Sequence, residues 1–193
     1  MKKREITLPS IEELESELKR ERQNHAYRHF FRNALYVLIT VAAIASLVAI
    51  LLMPVLKVYG SSMKPTVQEG ELVVCIKDKT VDPGDVIAFY FNNKIYVKRV
   101  IAGPGSKVDI DEVGNVYIDD VLLDEPYLNT KSAGISDIDF PVKVPEDSYF
   151  VLGDNREASA DSRNSVLGCI AREDLLGRVL FCAWPPSDIR AVH

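Results

Sequence analysis

Residues 85–102 read DVIAFYFNNKIYVKRVIA, two runs rich in Val, Ile, Phe and Tyr on either side of Asn92-Asn93. Each run has the length and composition of a strand, and an Asn-Asn pair is a turn signal. The same texture recurs outward in both directions: ELVVCIK (71–77), GNVYIDD (114–120), SYFVLG (148–153) and GRVLFCAW (177–184). Pro-Gly at 83–84, Gly-Pro-Gly at 103–105 and Gly-Asn at 114–115 separate them. So many short strands between turn signals predict a mainly β domain over 57–193, antiparallel and either closed or sandwiched. The one helical candidate in that stretch is Arg172-Glu173-Asp174-Leu175-Leu176.

Upstream the pattern changes. Residues 34–56, ALYVLITVAAIASLVAILLMPVL, carry no charged side chain. Roughly 20 apolar residues suffice to cross the hydrocarbon core, and a helix satisfies its own backbone hydrogen bonds there. We expect a single transmembrane helix over 34–56. The preceding flank holds Lys19, Arg20, Arg22, Arg28 and Arg32, whereas Lys57 and Lys64 are the nearest basic residues after it. That asymmetry places residues 1–33 in the cytoplasm and 57–193 outside it, with lipid as a partner along the span. Within the tail, Ser10 and Glu13 form a capping box that predicts a short solvated helix. A cleaved signal peptide is the rival reading, with Val58-x-Gly60 as its site. The basic region and the apolar run are both far too long for it.

The remaining composition excludes several classes. The chain has 193 residues and a net charge of −5, with no basic block beyond the N-terminal region to follow phosphates, so a nucleic-acid partner is not expected. Cys75, Cys169 and Cys182 show no C-x-x-C spacing, which disfavours zinc and a disulfide framework. Cys75 and Cys182 sit inside apolar runs and read as core residues. No metal and no cofactor are expected, and activity should survive a chelator. The histidines are His25, His29 and His193. The first two precede the span and the third is the last residue, so neither a Ser–His nor a Cys–His arrangement has its base. A serine served by a lysine remains.

Tyr59-Gly60-Ser61-Ser62-Met63-Lys64-Pro65-Thr66 follows directly on the span. Six extended residues reach about 20 Å at most, so chemistry at Ser62 would lie near the outer membrane surface. A Gly-Ser linker explains the same residues without chemistry. Two lysines compete for the serine. Ser61-Ser62-Met63-Lys64 contains an S-x-x-K spacing, but that motif needs a helical turn, and Pro65 biases Lys64 away from one. The alternative is Lys98, which on a strand shares a face with Tyr96 while Val97 and Arg99 share the other. Adjacent basic residues on a strand usually face solvent. To act as a base near neutrality, Lys98 must instead be buried, its pKa lowered by about 3 units, or about 4 kcal/mol.

These residues, taken in order, resemble bacterial signal peptidase I over nearly the whole chain. Gly60 to Thr66 is similar to the family's nucleophile box, and Pro83-Gly84-Asp85-Val86-Ile87-Ala88-Phe89 to its next structural box. Tyr96 to Ile101, followed by Gly103-Pro104-Gly105, resembles the box that holds the general base. Gly153-Asp154-Asn155-Arg156, with Ser159, Asp161, Ser162 and Arg163, resembles the last box. The resemblance implies a β-rich catalytic fold and removal of signal peptides from exported preproteins after small-x-small sites. It makes Ser62 the nucleophile and Lys98 the general base. Ser159 would orient the Lys98 amine, and Asp161 and Arg163 would form a supporting ion pair. Met63, Tyr96 and Val97 would line the pockets for the small side chains. Residues of about 106–148 would form an accessory β region.

Gly60 departs from family members that carry a serine there to complete the oxyanion hole, which leaves the second donor open. The loop NSVLG (164–168) also looks longer than the common pattern. Two other readings share these residues. A self-cleaving repressor domain uses the same dyad but carries no span, and an inactive anchored homologue would serve as an assembly factor in secretion or pilus systems.

Overall fold

The structure, a computed structural model, describes residues 11–192, without the side chains of 13, 14, 16 and 23–26. The capping box expected at Ser10 and Glu13 falls outside that description. The chain divides into two compact units, one ending at Ile50 and one beginning at Leu51.

The described residues of the first unit are all helical: they belong to α1 (Ile11–Leu52), about 63 Å long at 1.5 Å per residue. The tail and the apolar run, expected as separate pieces, are continuous in it. Its Glu17–Leu52 portion is long and apolar enough to cross a membrane. The helix stops four residues short of the expected end at Leu56. Pro54 has no N–H to donate and biases Met53 away from helical dihedrals. Val55 and Leu56 pair instead as a strand against Val74 and Val73.

The second unit is mainly β. Its larger antiparallel sheet holds β1 (Val55–Lys57), β2 (Leu72–Ile76), β3 (Val86–Phe91) and β4 (Lys94–Ala102). A smaller sheet follows in sequence: β5 (Lys107–Ile110), β6 (Val116–Ile118), β7 (Val121–Leu122) and β8 (Val142–Lys143). The chain then returns to the larger sheet as β9 (Ser148–Leu152), β10 (Ile170–Ala171), β11 (Leu175–Trp184) and β12 (Arg190–Ala191). The order in the larger sheet is β1-β2-β11-β3-β4-β9-β10, with β12 also on β11; in the smaller it is β7-β6-β5-β8. Only a 3-10 turn, Arg172–Asp174, forms at the helical candidate, because Leu175 and Leu176 already belong to β11.

Residues 85–102 form the β3–β4 hairpin. Asn92 and Asn93 both have positive φ (48° and 59°), as a two-residue turn matched to strand twist requires. The near-continuous apolar run in β3 has a direct cause: both of its faces are buried. Val86 and Ala88 pack into one cluster with Met63, Val73 and Cys75, and Ile87 and Phe89 into another with Val100 and Val151. A third cluster, including Val108, Val116, Phe150 and Leu152, joins the smaller sheet to β9. Cys75 and Cys182 are core residues as expected, and all three cysteines are free thiols.

Candidate active site

Ser62 lies in the loop between β1 and β2, and Lys98 lies mid-strand in β4. The fold brings them together: the Lys98 Nζ donates to Ser62 Oγ at 2.7 Å. Lys98 is only 2% exposed. The β3–β4 register pairs it with Ile87 and places Tyr96 opposite Phe89, so its side chain rises from an apolar wall. Burial there pulls its pKa down to about 8, against the opposing attraction of Asp161 and Asp154. An amine titrating near 8 is neutral in a useful fraction of molecules near neutrality.

Ser62 and Lys98 both line a cleft of ≈ 590 Å³. Met63, Tyr96 and Val97, the expected pocket residues, all line it, together with residues 55–59 of β1 and the loop after it. Met63 is buried beneath, and Val97 packs on the same cluster. Tyr96 is held by Phe89 and Phe91, each with ring centroids 6.0 Å away.

Asp161 and Arg163 form a two-pronged pair, Nε to Oδ1 and Nη2 to Oδ2 both at 2.8 Å, with both side chains buried. Burial by itself raises the Asp161 carboxyl pKa, but the Arg163 guanidinium and the Gly153 N–H hold it below the usual range. Ser159 stands apart from the Ser62–Lys98 contact. The expected hydrogen bond to the Lys98 amine is not formed. Its buried Oγ lies near the Asp161 carboxylate, outside hydrogen-bonding geometry, and has no partner among the described residues. The reason is local: Ser159 packs over Gly153, where a Cβ would stand 2.2 Å from Ser159 Oγ and 2.5 Å from the Ser62 carbonyl oxygen. The Lys98 amine bonds Ser62 instead. Gly60, exposed and at φ 81°, offers no side-chain donor.

The sequence profile of the family described as "Signal peptidase, peptidase S26" matches residues 31–184. The chain belongs to the signal peptidase S26 family. Among its relatives, Signal peptidase IB of Staphylococcus aureus (strain COL) is 38% identical over 151 residues, 68% of this chain and 78% of that one. Signal peptidase I S of Bacillus subtilis (strain 168) is 37% identical over 146 residues, 69% of this chain and 78% of that one. A crystal structure of a signal peptidase I from Enterococcus faecalis V583 shares 33% identity and aligns with a TM-score of 0.43, covering 51% of this chain and 96% of that one. Membership makes the chain an enzyme, a signal peptidase that removes signal peptides as a serine protease.

This signal peptidase also contains a polar network around the dyad that the sequence did not expose. Arg99, one residue past Lys98, is 1% exposed. Its Nε and Nη2 meet the two Asp154 carboxylate oxygens at 2.8 and 2.7 Å, and its Nη1 donates to the Gly84 carbonyl at 2.7 Å. Thr66, four residues past Ser62 in the same loop, donates to Asp154 and accepts from Arg99. Tyr127 stacks under the guanidinium at 3.9 Å and donates to Glu125, which pairs with buried Arg156. The loop 153–156 is thus tied to β4 on one side and to the Ser62 loop on the other, where the Asn155 N–H reaches the Ser62 carbonyl at 3.0 Å. The sequence offers one hint, the apolar residues on both sides of the adjacent cations in KIYVKRVIA, but a strand pattern by itself leaves such a pair in water.

Proposed function

We propose that Ser62 is the nucleophile and Lys98 the general base of a membrane-anchored endopeptidase that cuts preproteins after small-x-small sites. The observation that carries this is the 2.7 Å Ser62–Lys98 contact on a buried amine. Neutral Lys98 takes the Ser62 proton as Oγ attacks the scissile carbonyl, then returns it to the departing amine, leaving an acyl-enzyme. With that amine gone, Lys98 activates the water that releases the acyl group. Among the described residues no acceptor takes the Ser62 N–H, so it is free to donate to the oxyanion, an interaction whose loss typically costs about 3–4 kcal/mol. Ser159, through its packing on Gly153 beside the Ser62 carbonyl, and the Asp161–Arg163 pair are positioning residues in this scheme.

The strand edges explain the specificity. Residues 94–98 of β4 pair with β3 on one side only, because β9 begins its pairing at Arg99. The edge strand β1 has a partner only in β2. An extended peptide can add between these edges by main-chain hydrogen bonds. Alternate residues then face the same way, so −1 and −3 both point at Met63 and Val97 and must be small, while −2 points away. The helix α1 anchors the enzyme, and the basic residues Lys19 to Arg32 keep its N-terminus cytoplasmic and the β unit outside.

The deciding experiment is cleavage of a model preprotein by the detergent-solubilised enzyme and its Ser62→Ala variant, with mass mapping of the cut. Cleavage after a small-x-small site by the parent enzyme alone is the expected result. Equal cleavage by Ser62→Ala would remove the assigned nucleophile. No cleavage by a correctly folded parent would favour the assembly-factor role.

A further inference from the structure

The cleft accounts for residues that precede the scissile bond. A second cavity, of ≈ 230 Å³, shares no residue with it. It is lined by Lys64, Asn129, Thr130, Asn155 and Glu157 among others, and is polar where the cleft is apolar. Its walls abut the nucleophile: Lys64 follows Ser62 by two residues, and Asn155 holds the Ser62 carbonyl through its N–H and the Ser61 carbonyl through Nδ2 at 3.2 Å.

An extended peptide advances about 3.3 Å per residue, so the first residues after the cut extend up to about 10 Å beyond the scissile carbonyl. The cleft of β1 and β4 takes the signal-peptide side, so the mature chain leaves over the residues that flank Ser62 elsewhere, which are Lys64 and Asn155. The charges there are not equivalent. Asp154 and Arg156 also line the cavity, but each is neutralised by a buried partner, Arg99 and Glu125. Lys64 and Glu157 are exposed, and neither joins an ion pair among the described residues. Lys64 stands two residues from Ser62 in sequence, and Glu157 lines the same cavity.

We infer that this cavity is the subsite for the first two residues of the mature protein, and that Lys64 makes it favour acidic side chains there. The inference rests on the Ser62–Lys98 reading of the site and adds a determinant on the leaving side of the bond. Glu157 opposes Lys64 and limits the preference. An exposed charge pair contributes at most about 1 kcal/mol, so the effect on kcat/KM is up to about fivefold.

The test uses full-length enzyme in detergent and peptides identical up to the cut, with Asp, Asn or Lys at +1 or +2. Ratios of kcat/KM within one enzyme cancel any difference in its active fraction. The parent is expected to cut the Asp peptide about three- to fivefold faster than the Lys peptide at one of the two positions, with Asn between them. High salt should shrink that ratio, because exposed charges are screened. Lys64→Gln should bring the ratio to about one, Lys64→Glu should invert it, and Glu157→Gln should enlarge it. No preference in the parent, or one unchanged in Lys64→Gln, would overturn the inference while leaving the dyad intact. Failure of the parent to cut any peptide would overturn the dyad, and this inference with it.

Discussion

Lys98 is the proposed base because its surroundings make a poor home for a charge. Burial lowers its pKa from 10.5 to about 8. For the free enzyme, kcat/KM should therefore rise with pH along a limb whose apparent pKa lies near 8, measured on a model peptide. A flat profile between pH 6 and 9 would contradict the assignment. The same shift is a stability statement. The folded value is the lower one, so the unfolded chain binds more protons between about 8 and 10.5, and stability from this group rises with pH through that window. Below about 8 the full penalty remains, about 3 kcal/mol at most. Lys98→Met should accordingly be inactive yet melt higher than the parent at pH 7, with the gain disappearing by pH 10.5. Lys98→Arg should be as inactive as Lys98→Ala, because arginine stays protonated and cannot accept the Ser62 proton; appreciable peptidase activity in Lys98→Arg would rule the base out.

At the scale of elements, three pieces must meet at one point: the loop after β1, the middle of β4 and the loop after β9. The buried Arg99–Asp154 pair and the Asn155 contact to Ser62 lock that junction. Gly153 is where the locking is tightest, since any side chain there would collide with Ser159 and with the Ser62 backbone. Gly153→Ala should displace the nucleophile by a few tenths of an ångström to an ångström, and misplacement of that order costs up to about 100-fold in rate. Overpacking should also lower stability by about 1–3 kcal/mol. Peptide cleavage and thermal melts of the variant test both. Parent-like values in both would mean that the loop yields freely, which the buried ion pairs argue against. The element boundaries that differ from expectation have local causes as well: Pro54 ends α1 early, and Leu175 is taken by β11 before a helix can start.

For the whole molecule, the division at Ile50 and Leu51 separates an exposed apolar helix from a β unit with its own three cores. The proposed catalytic groups, Ser62 and Lys98, both lie in the second unit. Residues 51–193 produced alone should retain β-sheet circular dichroism and cut a soluble peptide at close to the full-length rate. On a preprotein inserted in vesicles the same fragment should fall behind by roughly tenfold or more, because an anchor raises the effective concentration of enzyme at its substrate. Equal rates on vesicles would mean that α1 contributes nothing to encounter.

The amino-acid order alone determined the elements whose signals are local. The apolar run at 34–56, the strand runs and the turn pairs can be read because hydrophobic periodicity and turn chemistry act over a few residues. The candidates Ser62, Lys98, Ser159, Asp161 and Arg163 were also legible, through short blocks in a characteristic order. Tertiary structure alone decided which faces those strands bury. That placed Lys98 and Arg99 in the interior, where a strand pattern would leave them in water, and paired Arg99 with Asp154 across 55 residues of chain. It also left Ser159 Oγ without the bond expected of it. Burial and long-range pairing are sums over distant segments, and no short window of sequence contains both Arg99 and Asp154.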